Sequence, residues 1–100
     1  MESRLLQTPI ELRHLRYFVA LGEHMHFGRA ARGLHVSQPT VSRQIQELEY
    51  HLGVALVLRT PRGVVLTEAG RIMLEESRRI LDKVSRLSLL ISGRRKPSVH

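Results

Sequence analysis

From Ser37 to Gly53 the chain reads Ser-Gln-Pro-Thr-Val-Ser-Arg-Gln-Ile-Gln-Glu-Leu-Glu-Tyr-His-Leu-Gly, a capped helix with two unlike faces. Val41, Ile45, Leu48 and Leu52 recur at helical spacing and form one apolar stripe. The far side carries Pro39, Arg43, Gln46 and Tyr50, flanked by Thr40, Ser42 and Glu47. Arg offers a planar fork that matches guanine O6 and N7, Gln can read adenine or hold phosphate, and Pro and Thr can pack against a thymine methyl. A helix that buries one side and presents Arg, Gln, Ser and Thr on the other suits the polar edges of DNA bases. Ser37 serves as N-cap, Pro39 fits the first turn and Gly53 fits a left-handed stop.

The bulk composition agrees with a polyanionic partner. Net charge is +7, and every one of the 16 basic residues except Lys83 and Lys96 is Arg. With 100 residues and no Cys, the chain has room for one compact domain and no disulfide. No apolar run approaches the roughly 20 residues that span a bilayer, and Met1 to Leu6 lacks a signal-peptide centre, so a soluble, cytoplasmic protein is expected. His24-x-His26 has metal-like spacing, but with no Cys and only Glu23 nearby a solvated or phosphate-facing pair fits better. Ser42 lacks an evident His/Asp arrangement and no Gly-rich phosphate loop exists. Catalysis therefore has no visible apparatus, and no cofactor is expected.

The elements that must carry this face can be read in order. Residues 1–8 form a leader, residues 9–66 a domain, residues 67–92 a long helix, and residues 93–100 a basic tail without expected structure. Thr8-Pro9-Ile10-Glu11 has the form of a capping box, with Thr8 as N-cap and Pro9 as first helical residue. Leu12, Leu15, Phe18 and Val19 then give a stripe that runs out near Gly22. A short helix from Phe27 to Leu34 turns Phe27, Ala30, Ala31 and Leu34 inward, and a tight turn leads into the Ser37 helix. That is the helix-turn-helix order. Val54 to Leu58 and Val64 to Leu66 read as two short strands around Thr60-Pro61-Arg62-Gly63, a hairpin that must pack on the helices to be stable. Thr67 caps the last helix, where Met73, Ser77, Ile80, Val84, Leu87 and Ile91 keep a heptad spacing. Such a helix is roughly 36 Å long at about 1.5 Å per residue. It exceeds what the small domain can cover, which favours a partner helix along the seam.

Taken together, Leu15 to Phe18, Ala30-Ala31-x-x-Leu34, Ser37-Gln38-Pro39-x-x-Ser42-x-x-Ile45, Leu48-Glu49-x-x-Leu52-Gly53, Leu56-x-x-Arg59 and Leu66-Thr67-x-Ala69-Gly70 resemble the N-terminal region of LysR-type bacterial transcriptional regulators. The resemblance covers about residues 11–92. It implies a mainly α fold, a winged helix-turn-helix with a two-stranded β wing, followed by a linker helix through which two subunits pair. It also implies dimers, often assembled into tetramers, on double-stranded promoter DNA. The helix after Ser37 would enter the major groove with Gln38, Pro39, Thr40, Ser42, Arg43 and Gln46. The wing, with Arg59, Thr60, Pro61 and Arg62, would reach the adjacent minor groove. A wing-tip Arg62 suits a narrow groove of strong negative potential, whereas Arg59 suits a phosphate or a structural carboxylate. His26, Gly28, Arg29 and Arg32 around the second helix are phosphate-clamp candidates. Departures are His26 where the family usually has a capping Ser, and Val57 where Phe is common. Whole members also carry an α/β effector-binding domain, so this chain reads as the DNA-binding and linker part, with a small-molecule effector only if that domain exists.

Two other readings stay open at this stage. One is a sequence-tolerant architectural DNA binder, for which charge suffices. The other is a helical oligomerisation module whose basic surface aids solubility. Sequence-specific binding to a two-fold site, with half-sites about one helical turn or more apart, is the expectation that separates the first reading from both.

Overall fold

The structure, a computed structural model, describes residues 9–93. Its elements are α1 (Leu12–His24), α2 (Phe27–Leu34), α3 (Gln38–Leu52), β1 (Val57–Thr60), β2 (Gly63–Leu66) and α4 (Glu68–Ser92). The expected leader and the basic residues 94–100 of the tail lie outside the described residues.

The core is built from one stripe of each of the first three helices. Leu15, Phe18 and Leu21 of α1 meet Phe27, Ala30 and Ala31 of α2 and Val41, Ile45 and Leu48 of α3. Leu56 and Val64 add the wing to this cluster. Small residues at Ala30 and Ala31 let α2 lie close to its neighbours, as their sequence position suggested.

α1 starts later than the sequence reading places it. Thr8 lies outside the described residues, and Glu11 is the N-cap, so Pro9 is not the first helical residue. The Glu11 N–H donates to His14 Nδ1 at 3.0 Å, and the buried His14 ring thereby takes the part that Glu or Gln plays in an ordinary capping box. The far end also differs, because α1 continues through Gly22 to His24 and closes on Met25 in a left-handed conformation. Gly22 is a contact point instead of a stop. A Cβ there would stand 2.7 Å from Leu74 Cδ1, so its absence lets α4 cross α1 closely.

α2 begins at Phe27 as expected even though His26 is an uncommon N-cap. Its ring Nδ1 accepts from the Arg29 N–H at 3.2 Å. α3 is capped by Ser37, whose Oγ accepts from the Thr40 N–H, and it stops at Gly53 with φ 69°.

The first strand starts three residues later and ends two residues later than the apolar run that suggested it. β1 and β2 pair antiparallel, Val57 opposite Leu66 through Thr60 opposite Gly63, leaving Pro61 and Arg62 as the turn. A turn this short fixes the register, and the strand is counted back from it. Val54 and Ala55 are consequently lead-in, and Leu56 is a buried core residue held by Glu49. The Glu49 carboxylate accepts from the Leu56 and Val57 N–H groups at 2.8 and 3.3 Å.

Thr67 caps α4, accepting from the Gly70 N–H at 3.0 Å while donating to the Ala55 carbonyl at 2.7 Å. The heptad seam on α4 is divided. Met73 packs on the core cluster and Ser77 is 0% exposed, both covered by their own chain in place of a partner helix. The reason is length: α1 has 13 residues and α4 has 25, so α1 covers only the first half of α4. Beyond it Ile80, Leu87 and Ile91 stand exposed, with Val84 half-buried. No helix among the described residues is long and apolar enough to cross a membrane.

Candidate nucleic-acid interface

The surface that gathers the candidate residues is formed by the start of α3, the start of α2 and the wing tip. The stripe of Val41, Ile45 and Leu48 is buried, which forces the opposite side of α3 outward. Gln38, Pro39, Arg43 and Gln46 are exposed on it, while Thr40 and Ser42 are half-buried. Two of these hydroxyls are already engaged. Thr40 Oγ1 lies 2.7 Å from Ser37 Oγ, and Ser42 Oγ accepts from Arg59 Nη2 at 2.9 Å.

The wing is anchored at both strands. On β2, Val64 is buried and its N–H donates to the Met25 carbonyl at 3.2 Å. The adjacent Gly63 has φ 141°, and a Cβ there would stand 2.5 Å from the same carbonyl oxygen, so this approach requires glycine. On β1, the Arg59 guanidinium lies over the Phe27 ring, 4.0 Å from its centroid. At the tip, the Thr60 hydroxyl accepts from the Arg62 N–H at 3.2 Å, which stiffens the turn and leaves the Arg62 side chain exposed.

Between wing and helices lies a cleft of about 250 Å³, lined by His26, Gly28, Gln38, Arg59, Arg62 and their neighbours. Among the described residues no carboxylate lines it. The α2 N-terminus opens into the same cleft, and the helix dipole favours an anion there. Arg29 and Arg32 are exposed on α2, but neither lines the cleft. The four phosphate candidates therefore divide, His26 and Gly28 in the cleft and the two arginines outside it.

Glu47, which adjoins the reading face in sequence, turns the other way. His14 is 1% exposed and its Nδ1 accepts from Glu11, so Nε2 carries the ring proton and donates to Glu47 Oε1 at 3.0 Å. That hydrogen bond, with Arg13 and His51 nearby, holds the Glu47 carboxyl below its ordinary value. The carboxylate is thereby pinned toward α1, away from the arginines that an anion would meet. Sequence reasoning missed this link and the Glu49 clamp, because both depend on how elements distant in sequence come together.

Comparison with known proteins bears on the whole arrangement. The model of the bacterial regulatory helix-turn-helix proteins of the lysR family matches residues 12–71. The chain is 59% identical over 75 residues to the uncharacterized HTH-type transcriptional regulator YnfL of Escherichia coli (strain K12), a match covering 75% of this chain and 25% of that protein. It is 57% identical over 72 residues to the HTH-type transcriptional regulator ClcR of Pseudomonas putida, covering 72% and 24%. The chain thus spans about a quarter of the length of these curated relatives. Among solved structures, it resembles the CbnR DNA-binding domain in complex with DNA, with TM-score 0.82 and 45% identity over 84% of this chain and 97% of that one. The BenM DNA-binding domain in complex with catB site 1 DNA gives TM-score 0.81 and 40% identity over 84% and 94%.

Proposed function

The chain belongs to the lysR family of bacterial regulatory helix-turn-helix proteins, and from that premise we propose that it is the sequence-reading part of a bacterial transcriptional regulator. Its α3 enters the major groove of duplex DNA, with Arg43, Gln38, Gln46 and Pro39 toward the bases. Arg62 enters the neighbouring minor groove, and the cleft at the α2 N-terminus receives a backbone phosphate between them. Thr40 and Ser42 contribute less, since their hydroxyls are held within the protein. The reaction is binding alone, and the compartment it implies is the bacterial cytoplasm.

One observation carries this reading: the exposed polar face of α3 and Arg62 of the wing flank a cleft lined by cationic groups and, among the described residues, no carboxylate. Residues 67–92 act as the linker through which two copies pair. The support for pairing is the uncovered row of Ile80, Leu87 and Ile91 on the half of α4 that α1 does not reach. Pairing fixes two reading heads at one distance, so the bound site is two-fold related, with half-sites about one helical turn or more apart.

Selection of duplexes from a random pool, followed by Arg43→Ala, tests the reading. Loss of preference for the selected sequence, with weak binding to other DNA retained, is expected. An equal loss on all duplexes would assign Arg43 to phosphate and favour a sequence-tolerant binder.

A further inference from the structure

We propose that Arg59 is a positioning residue, a strut that holds the wing at a fixed separation from α3 and so sets the distance between the Arg43 and Arg62 contacts. The inference rests on the DNA-reading function given above and deepens it. A single side chain from β1 touches both helices of the helix-turn-helix unit. Its guanidinium covers the ring of Phe27, the first residue of α2, and its Nη2 donates to Ser42 on α3. Among the described residues no carboxylate pairs with it, so the ring and the hydroxyl are what fix its direction.

A two-stranded hairpin is marginal in water and moves unless both strands are tied. β2 is tied by the Val64 N–H to the Met25 carbonyl, and the base of β1 by Glu49. Arg59 supplies the tie nearest the tip on β1, three residues before Arg62. Without it the tip pivots about its base, and Arg62 loses its fixed relation to the face of α3. Lysine keeps the charge but lacks the planar fork that stacks on a ring while donating sideways.

The test uses Arg59→Lys, alone and combined with Arg62→Ala, in the 100-residue chain against a duplex selected from a random pool. Arg59→Lys should weaken binding about tenfold, the size of one charge-assisted hydrogen bond. With Arg62 already Ala, it should cost less than about twofold, because a positioning residue acts through the side chain that it positions. An equal factor in both backgrounds means that Arg59 grips DNA by itself and overturns the proposal. A second arm needs no DNA. Amide hydrogen exchange at Leu58 and Val65 should quicken in both Arg59→Lys and Ser42→Ala, with Ile45 and Leu48 on α3 unchanged. Unaltered exchange in the wing overturns the strut. If the unmodified chain prefers no duplex, the functional reading falls while this second arm still decides the role of Arg59.

Discussion

In the reading head, the apolar side chains are covered and several of the polar ones at the surface are tied. Phe18, Ile45 and Leu48 are closed from solvent, while Arg59, Thr40 and Ser42 each have a fixed neighbour. Along α4 past Ser77 the order reverses. Leu87 is 56% exposed and Ile91 79%, and Arg86 beside them pairs within the helix, with Asp82 at 3.6 Å. The head is built to hold a shape by itself. The far half of α4 keeps a helix but leaves its apolar row for another surface.

The largest expected effect lies inside the head. Phe18→Ala should cost about 3–5 kcal/mol of stability by thermal or urea unfolding. Leu90→Ala, at a side chain 78% exposed, should change it by less than about 0.5 kcal/mol in the dissociated chain. A large cost at Leu90 under those conditions would break the comparison. Next comes association. Leu87→Asp should raise the dimer dissociation constant on the order of 100-fold by sedimentation, as expected for a charge forced into an apolar contact. An unchanged constant would move the interface elsewhere.

Within the head, Arg43→Ala should cost about 1–3 kcal/mol of discrimination between the selected duplex and a scrambled one, with little effect on the unfolding midpoint. The smallest effect concerns Glu47. The His14 hydrogen bond lowers its folded carboxyl from an ordinary value of 4.5, so the ionised form is favoured by folding. Its contribution is present above pH 4.5 and is lost as pH falls through the lowered value. Glu47→Gln should therefore flatten the acid limb of a stability-pH curve and leave neutral pH behaviour of the reading face unaltered.

How much of this was legible in sequence depended on the range of the interaction that fixed each feature. The limits of α2, the caps at Ser37, Thr67 and Gly53, and the stripe Val41, Ile45, Leu48 follow local rules and read correctly from spacing, whereas Leu52, assigned to the same stripe, lies in the last turn of α3 and is exposed. The start of α1 did not, because its acceptor is a histidine ring outside the usual capping alphabet. β1 was misplaced since a run of apolar residues records burial, whereas the strand is set by the register of its turn. The seam on α4 has a uniform pattern, yet Met73 and Ser77 are covered by their own chain while Ile80, Leu87 and Ile91 are exposed. Periodicity reveals that a face is apolar and says nothing of which neighbour covers it. In the interface, Gln38, Arg43 and Arg62 were readable as exposed groups. The capture of Ser42 by Arg59 spans 17 residues and required the folded wing.

Arg62 and Gly63 sit side by side under opposite constraints. The tip residue is held only through its backbone N–H, which donates to the Thr60 hydroxyl, and among the described residues its guanidinium stands exposed without a partner, whereas its successor stands where any Cβ would strike the Met25 carbonyl. The first position accepts any side chain that keeps the backbone N–H for Thr60, and the second is closed to every residue with a Cβ. The side chain at the wing tip can thus change one residue at a time without the frame that presents it being rebuilt.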